Sequence, residues 1–378
     1  MSIQLKTDEI LRKASAIGSY YGFTALSTLS AANKISRRLP YPDSIVPEAL
    51  DPVAREVAGF LKHVRDSGLT PTTAQPLFLW HTNAASGRPA PKNLVIQFHA
   101  LGVDHCIADA VLMRAVRSLL QDLTKTDLSI RLNSMGDKET RSRFARELTT
   151  FFRKHGGSLP ENCVNCAKRD VFEAAELLAL ADADVLPSST DHLSEASRKH
   201  FESVLEYLES TDTPYELAPE LLSRGSSWTE TCFEIRANEK VHAWGSRYLE
   251  FARAFWKTHL PSIGAVIRIS TDARETVPAM KPAGAPRFVF VHIGEEAKRE
   301  CMKMADNLRR ARIPLSQAIG IQSLSEQMRY VETLNPQYVL IMGRKEAIER
   351  SVILRDRNTY TETFIPLDSL VDRLKEVA

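Results

Sequence analysis

Apolar residues recur at the spacing of one helical face from Ile10 through Leu11 and Ala14 to Ile17, behind the capping candidates Thr7 and Asp8. They predict a helix that stops near Gly22. Residues 24–56 carry turn signals such as Leu39-Pro40-Tyr41-Pro42-Asp43, and only a short strand is expected there. The β-branched and aromatic runs 76–80 and 93–98 bracket the loop Gly87-Arg88-Pro89-Ala90-Pro91 and predict two antiparallel strands of one sheet. A helix follows over 108–122 on the stripe Val111, Leu112, Ala115, Val116, Leu119, Leu120, then a strand over 128–132.

The period then turns helical again. Asp137 or Ser134 can cap a helix whose inner face is Phe144, Leu148, Phe151 and Phe152, and a second helix spans 194–209 through Phe201, Val204, Leu205 and Leu208. These predict an α-helical insert over about 138–212. Runs 230–236 and 240–244 form a hairpin, followed by a helix carrying Tyr248, Phe251, Phe255 and Trp256 and a strand over 263–269. Pro278, Pro282, Gly284 and Pro286 mark 271–286 as a linker between a first domain, 1–270, and a second, 287–378. Strands near 288–292, 318, 338–342, 351–355 and 361–365 alternate there with helices over 295–312, 324–334 and 367–377, which predicts a mostly parallel sheet covered by helices.

Composition narrows the class. With 378 residues, 43% hydrophobic and 25% charged, the chain is long enough for two or three domains with real cores. Its net charge of +2 announces neither nucleic acid nor membrane, so any such binding needs a local patch. No apolar run reaches the 18 residues or more of a membrane span. Five sparse cysteines, Cys106, Cys163, Cys166, Cys232 and Cys301, suit reduced thiols, and with the charged start they predict a cytoplasmic protein.

The segment IRLNSMGDKETRSRFARELTTFF at 130–152, Pro214-Tyr215-Glu216 and LLSRGSSWTETCFEI at 221–235 together resemble class II histidyl-tRNA synthetases. Collinear matches are Tyr21-Gly22-Phe23, QFHALGVD at 97–104, Ala108-Asp109-Ala110 and Gly245-Ser246-Arg247-Tyr248. VFVHIGEEAKRECMKMADNLRRARI at 289–313, SLSEQMRYVETLNPQYVLIMG at 323–343 and ETFIPLDSLVDRLKE at 362–376 resemble that family's anticodon-binding domain. The resemblance implies an α+β class II synthetase-like domain, an antiparallel sheet with helices and a helical insert, then an α/β anticodon-binding-type domain, in a homodimer.

Adenylate chemistry needs cations aimed at the α-phosphate and the departing pyrophosphate, where charge develops. The resemblance implies two arginines for this, and neither is found. The Phe-Arg-Tyr-Glu-Arg motif matches Phe78, Leu79, Trp80, His81 and Thr82, and the second arginine falls on Thr271, three residues after Arg268. The glutamate expected to hold the substrate ammonium falls on Val53, and the pocket's glutamine and acid fall on Ala100 and Asp104. In the loop that reads the histidine ring only Arg224 survives, before Ser226, Ser227 and Trp228. The proline and glutamate of the dimer motif fall on Leu29 and Ala32. One lost donor costs about 3–4 kcal/mol, so two lost arginines correspond to about 10⁴-fold or more in rate.

The expected protein is therefore a synthetase-like paralogue that has lost aminoacylation and works by binding tRNA, another RNA, or a protein or small ligand. No cofactor is expected in that case. The alternative is a divergent but active histidine-tRNA ligase using ATP and Mg, with Arg224, Arg247 or Arg268 compensating. The vestigial pocket candidates are Asp104, Arg224 and Arg247. RNA-binding candidates are Arg309, Arg310 and Arg312 at a helix C-terminus, where the helix dipole also accounts for them, and Arg344 and Lys345, expected in a loop.

Other groups read as structural. Cys163 and Cys166 have the spacing of half a zinc site without a second pair. Asp104-His105-Cys106 is expected on a strand, where neighbours point apart. His81, His99 and His292 have no ligand-spaced partners, and Phe251, Phe255 and Trp256 read as core or dimer interface.

Overall fold

The computed structural model describes residues 6–33, 38–181, 186–222, 228–237, 240–270, 275–277, 286–318 and 320–377. The chain opens with α1 (Thr7–Tyr20), β1 (Thr24–Ala25), α2 (Leu26–Asn33) and α3 (Pro52–Asp66). Then come β2 (Leu77–Thr82), β3 (Asn93–Leu101), α4 (Ile107–Thr124) and β4 (Ser129–Ser134). The insert holds α5 (Lys138–His155), α6 (Glu161–Ala167), α7 (Val171–Ala179) and α8 (Glu195–Ser210). β5 (Glu216–Leu217), β6 (Thr229–Ala237), β7 (Lys240–Arg247), α9 (Leu249–Trp256) and β8 (Ser262–Ser270) complete the first sheet.

That sheet has eight strands in the order β1-β2-β3-β8-β7-β6-β4-β5, antiparallel except for the two-residue edge strands β1 and β5. One face, through Trp80, Phe98, Ala265 and Phe233, packs on α1, α4 and α8. The other, through Leu79, Val95 and Val266, meets α3 and α9. The expectation of a mere strand in 24–56 missed α2 and α3. Asp51 caps α3 by accepting from the amides of Val53 and Ala54, Pro52 sits where no amide is needed, and Val57, Phe60, Leu61 and Val64 are buried.

The insert has more helices than the two expected, with its own core of Phe144, Leu148, Phe152, Ala174 and Leu178. Cys163 and Cys166 are buried in it. Residues 275–277, expected within a linker, run beside 87–90, where Val277 donates to the Arg88 carbonyl at 2.9 Å and is buried.

The C-terminal unit comprises β9 (Phe288–His292), α10 (Glu295–Arg310), β10 (Leu315–Gln317), α11 (Leu324–Leu334), β11 (Tyr338–Met342), α12 (Arg344–Ile348), β12 (Ser351–Asp356), β13 (Glu362–Pro366) and α13 (Leu370–Val377). Its sheet order is β10-β9-β11-β12-β13. The expected mostly parallel sheet is mixed: β9 pairs parallel with β10 and β11, whereas β11–β12 and β12–β13 are antiparallel. Only eight residues, 343–350, join β11 to β12, fewer than the dozen or so that a crossover needs, so the chain turns back.

Helix α10 serves both units. Ala297, Cys301, Met304, Ala305 and Leu308 face its own sheet, while Met302 enters the core of the first. Around Met302 lies a polar seam. Arg114 donates to the Met302 carbonyl at 3.1 Å and pairs with Asp306, and Tyr207 donates to Glu295, which His105 approaches at 3.4 Å. No described helix is long and apolar enough to cross a membrane.

Candidate functional site

The strand registers decide which side chains can meet. Leu79 lies opposite His99, and His99 opposite Gly264, so these share one face with His81, Gln97, Trp244, Glu234 and Arg268. Ala100 is opposite Phe78 and points to the other face, into the core under α4. The positions matched to one pocket, Leu79 and Ala100, thus sit on opposite sides of the sheet. Leu79 is 1% exposed and packed among apolar residues of α3 and α9.

Beside Leu79 the face is polar but uncharged. His99 stacks on Phe60 with ring centroids 3.7 Å apart, and its Nδ1 lies 2.7 Å from the Tyr248 hydroxyl. Its Nε2 lies 3.0 Å from Gln97 Oε1. Burial pushes His99 well below the ordinary imidazole range, helped by His81, and burial with nearby His63 lowers His81 to about 4. Neutral imidazoles cannot neutralise a triphosphate.

Farther along the face a cavity of about 560 Å³ opens between Val53, Trp228 and Trp244. Two guanidinium groups do reach it, Arg131 and Arg236, but carboxylates hold both. Arg131 donates to Glu234 at 2.8 Å and pairs with Glu220, and Arg236 is 2.6 Å from Glu234. Its described walls carry four acids, Asp51, Glu176, Glu220 and Glu234, against those two cations. This excess repels a polyanion, so the described residues there do not fit ATP. A separate cleft of about 550 Å³ on the same face holds Arg268, Lys240 and His242 with Glu56.

Asp104 and Arg247 line a third cavity, of about 630 Å³, at the end of the sheet beneath α5. Arg247 is committed elsewhere. Its Nε donates to Asp109 at 3.0 Å, and Nη1 and Nη2 donate to the Val103 and His105 carbonyls. Burial would raise the Asp109 carboxyl, but Arg247 and His200 outweigh it and hold it well below the usual carboxylate range. Arg247 is thus the clamp that fixes loop 103–105 on α4. Arg224 and Thr271 lie outside the described residues. His105 and Cys106 end that loop, not a strand, and burial with the charge of Asp109 raises the Cys106 thiol to about 12, so it is not a thiolate.

Among the RNA candidates, Arg309 faces the seam, its Nη1 3.4 Å from Asp122, with 18% of its side chain exposed. Arg310 and Arg312 are exposed. Arg344 and Lys345 open α12 instead of sitting in a loop, are 76% and 72% exposed, and have Glu296 and Glu349 at 3.7 and 3.9 Å. Sequence reasoning missed the seam residues Tyr21, Arg114 and Asp306. The arginine at 114, set among the apolar residues of α4, was the available signal, since a buried guanidinium demands a partner.

A large antiparallel sheet flanked by helices, with a helical insert and a separate C-terminal α/β unit, is the architecture of class II aminoacyl-tRNA synthetases. A family profile described as an anticodon binding domain matches residues 287–377. A histidine–tRNA ligase of Caldanaerobacter subterraneus subsp. tengcongensis is 27% identical over 342 residues, 84% of this chain and 79% of that protein. One of Geobacillus sp. (strain WCH70) is 26% identical over 296 residues, 74% of this chain and 70% of that protein. The crystal structure of apo Staphylococcus aureus histidyl-tRNA synthetase aligns with a TM-score of 0.48 at 19% identity, covering 97% of this chain and 95% of that one. Over most of its length the chain is similar to class II histidine–tRNA ligases, and its C-terminal residues match an anticodon binding domain.

Proposed function

We propose that this chain has lost adenylate formation and works by binding RNA, with tRNA the partner that its anticodon-binding domain favours. The observation that carries this is Leu79. Where the family resemblance puts a phosphate-binding arginine stands a leucine packed in an apolar cluster, and the neighbouring cavity is acidic. Histidine-dependent exchange of pyrophosphate into ATP is the test. A rate equal to that of buffer is expected, and exchange above it overturns the proposal.

A second reading, a divergent working ligase that uses ATP and Mg, draws on Arg268 and Lys240, which share a cleft on the same face as Leu79. It predicts exchange activity that Arg268→Ala abolishes.

A further inference from the structure

We infer that the C-terminal ends of α4 and α10 form one basic surface, built from both domains, that seats the phosphate backbone of RNA without reading its bases. This rests on the RNA reading above and names a surface for it. Asp122, in the last turn of α4, is its hub. Its main-chain carbonyl accepts from Lys13 at 2.9 Å, and its carboxylate lies 3.4 Å from Arg309 of α10. Lys125 ends α4 next to it in the left-handed conformation, exposed. Arg310 and Arg312 extend the cluster from the same end of α10 and are exposed. Arg117 lies one to two turns before Asp122 on α4 and is half-buried.

These six cations stand against Glu9, Asp122, Asp127 and Asp306. The buried Nε–H groups of Arg117 and Arg309 meet no acceptor among the described residues. Burial lowers the Arg117 guanidinium despite Asp306 and Tyr21, and Arg114 adds repulsion, so an arriving anion would relieve it. Two helix C-termini explain cations near each end, but not a half-buried guanidinium between them whose own N–H is left over. A phosphodiester oxygen at the open part of the Arg117 side chain supplies a countercharge that the described residues do not give it. The surface also needs both domains in register, which the Tyr21–Asp306–Arg114 contacts provide.

Filter binding of bulk tRNA to the full chain at two salt concentrations tests this, using unaltered protein, Arg117→Ala, the exposed pair Arg310→Ala/Arg312→Ala, and Arg344→Ala/Lys345→Ala. Unaltered protein should bind at low salt. Arg117→Ala and the Arg310/Arg312 pair should each bind about tenfold more weakly, with the salt slope falling by about 1 per contact removed. Absence of binding by unaltered protein overturns the RNA reading and this surface together. Unchanged binding in the exposed Arg310/Arg312 pair, or loss confined to the Arg344/Lys345 variant, overturns the surface and leaves the RNA reading standing.

Discussion

The hydroxyl of Tyr21 donates to the carboxylate of Asp306 at 2.6 Å, joining residues 285 positions apart in sequence across the two domains. Asp306 also pairs with Arg114, which is 3% exposed. Burial, and then the charge of Asp306, push the Tyr21 hydroxyl up to about 12, so it stays a donor throughout the physiological range. The anticodon-binding domain is keyed in place by this triad.

Asp306→Ala removes the acceptor and leaves the Arg114 guanidinium buried and unpaired. The expected cost is about 3 kcal/mol. Urea melts followed separately by Trp fluorescence and by circular dichroism should become non-coincident as the domains uncouple. Replacing both partners, Arg114→Met with Asp306→Leu, should restore most of the loss.

Arg247 ties loop 103–105 to α4 through five hydrogen bonds, two to the loop carbonyls and three to the Asp109 carboxylate, a set that lysine cannot copy. Arg247→Lys keeps the charge facing Asp109 but leaves loop carbonyls unpaired, and should destabilise by about 1–3 kcal/mol. Asp109 sets the pH side of this prediction. Its folded carboxyl lies below the unfolded one, so the pair's contribution is complete above the usual carboxylate range and lost as pH falls through the lower folded value. Tm measured from pH 6 down to 2 should fall for the native chain and change less for Asp109→Asn.

His81 predicts a second, milder acid sensitivity. An unfolded imidazole takes its proton near 6.5 and the folded one near 4, so between those values the unfolded state binds more protons. Stability should decline by on the order of 2 kcal/mol over that window. His81→Gln should flatten the slope of Tm against pH there.

Gly264 is the space that His99 occupies. A Cβ at Gly264 would stand 2.0 Å from His99 Nδ1, the atom that meets Tyr248. Gly264→Ala should cost about 1–3 kcal/mol or more by overpacking, read as a lowered urea midpoint at constant m-value. Tyr248→Phe should cost about 1–3 kcal/mol by a different route, an orphaned buried ring nitrogen.

Restoring a charge at the resemblance-matched position should fail. Leu79→Arg places a guanidinium in the cluster of Phe60, Leu61 and Val266, where the nearest polar groups, His99, Gln97 and Tyr248, carry no charge and are already paired with one another. Loss of folded protein is expected, read by circular dichroism, with no gain of pyrophosphate exchange.

Much of the architecture was legible because it rests on local periodicity. The helices α1, α4, α8, α10 and α11 and the strands β3, β6, β8 and β11 lie within a few residues of the stripes and runs that announced them. α3 was equally legible, with Asp51-Pro52 at its start and Val57, Phe60, Leu61 and Val64 on one face, but the turn residues before it obscured that start. What local pattern does not contain is which side of a helix another domain will take. Arg309 has the same sequence context as Arg310, yet one faces Asp122 and the other solvent. Register is likewise hidden, and only pairing places Leu79 and Ala100 on opposite faces. Arg131 was missed for the same reason, since its carboxylate partners Glu234 and Glu220 stand on another strand and a loop, whereas Arg236 pairs with Glu234 two residues before it on β6.

Met302 sits in the hydrophobic cluster of a sheet whose last strand ends at Ser270. On the ribosome, that first sheet must emerge, pair its strands and wait with a vacancy beneath α4, because synthesis proceeds at only about 5–20 residues per second. Until the nascent chain has extended past residue 306, Arg114 has no carboxylate and Tyr21 no acceptor from α10. A nascent chain truncated between the two sheets should thus be a client for chaperones, and the final quarter of translation completes the folding of the first three.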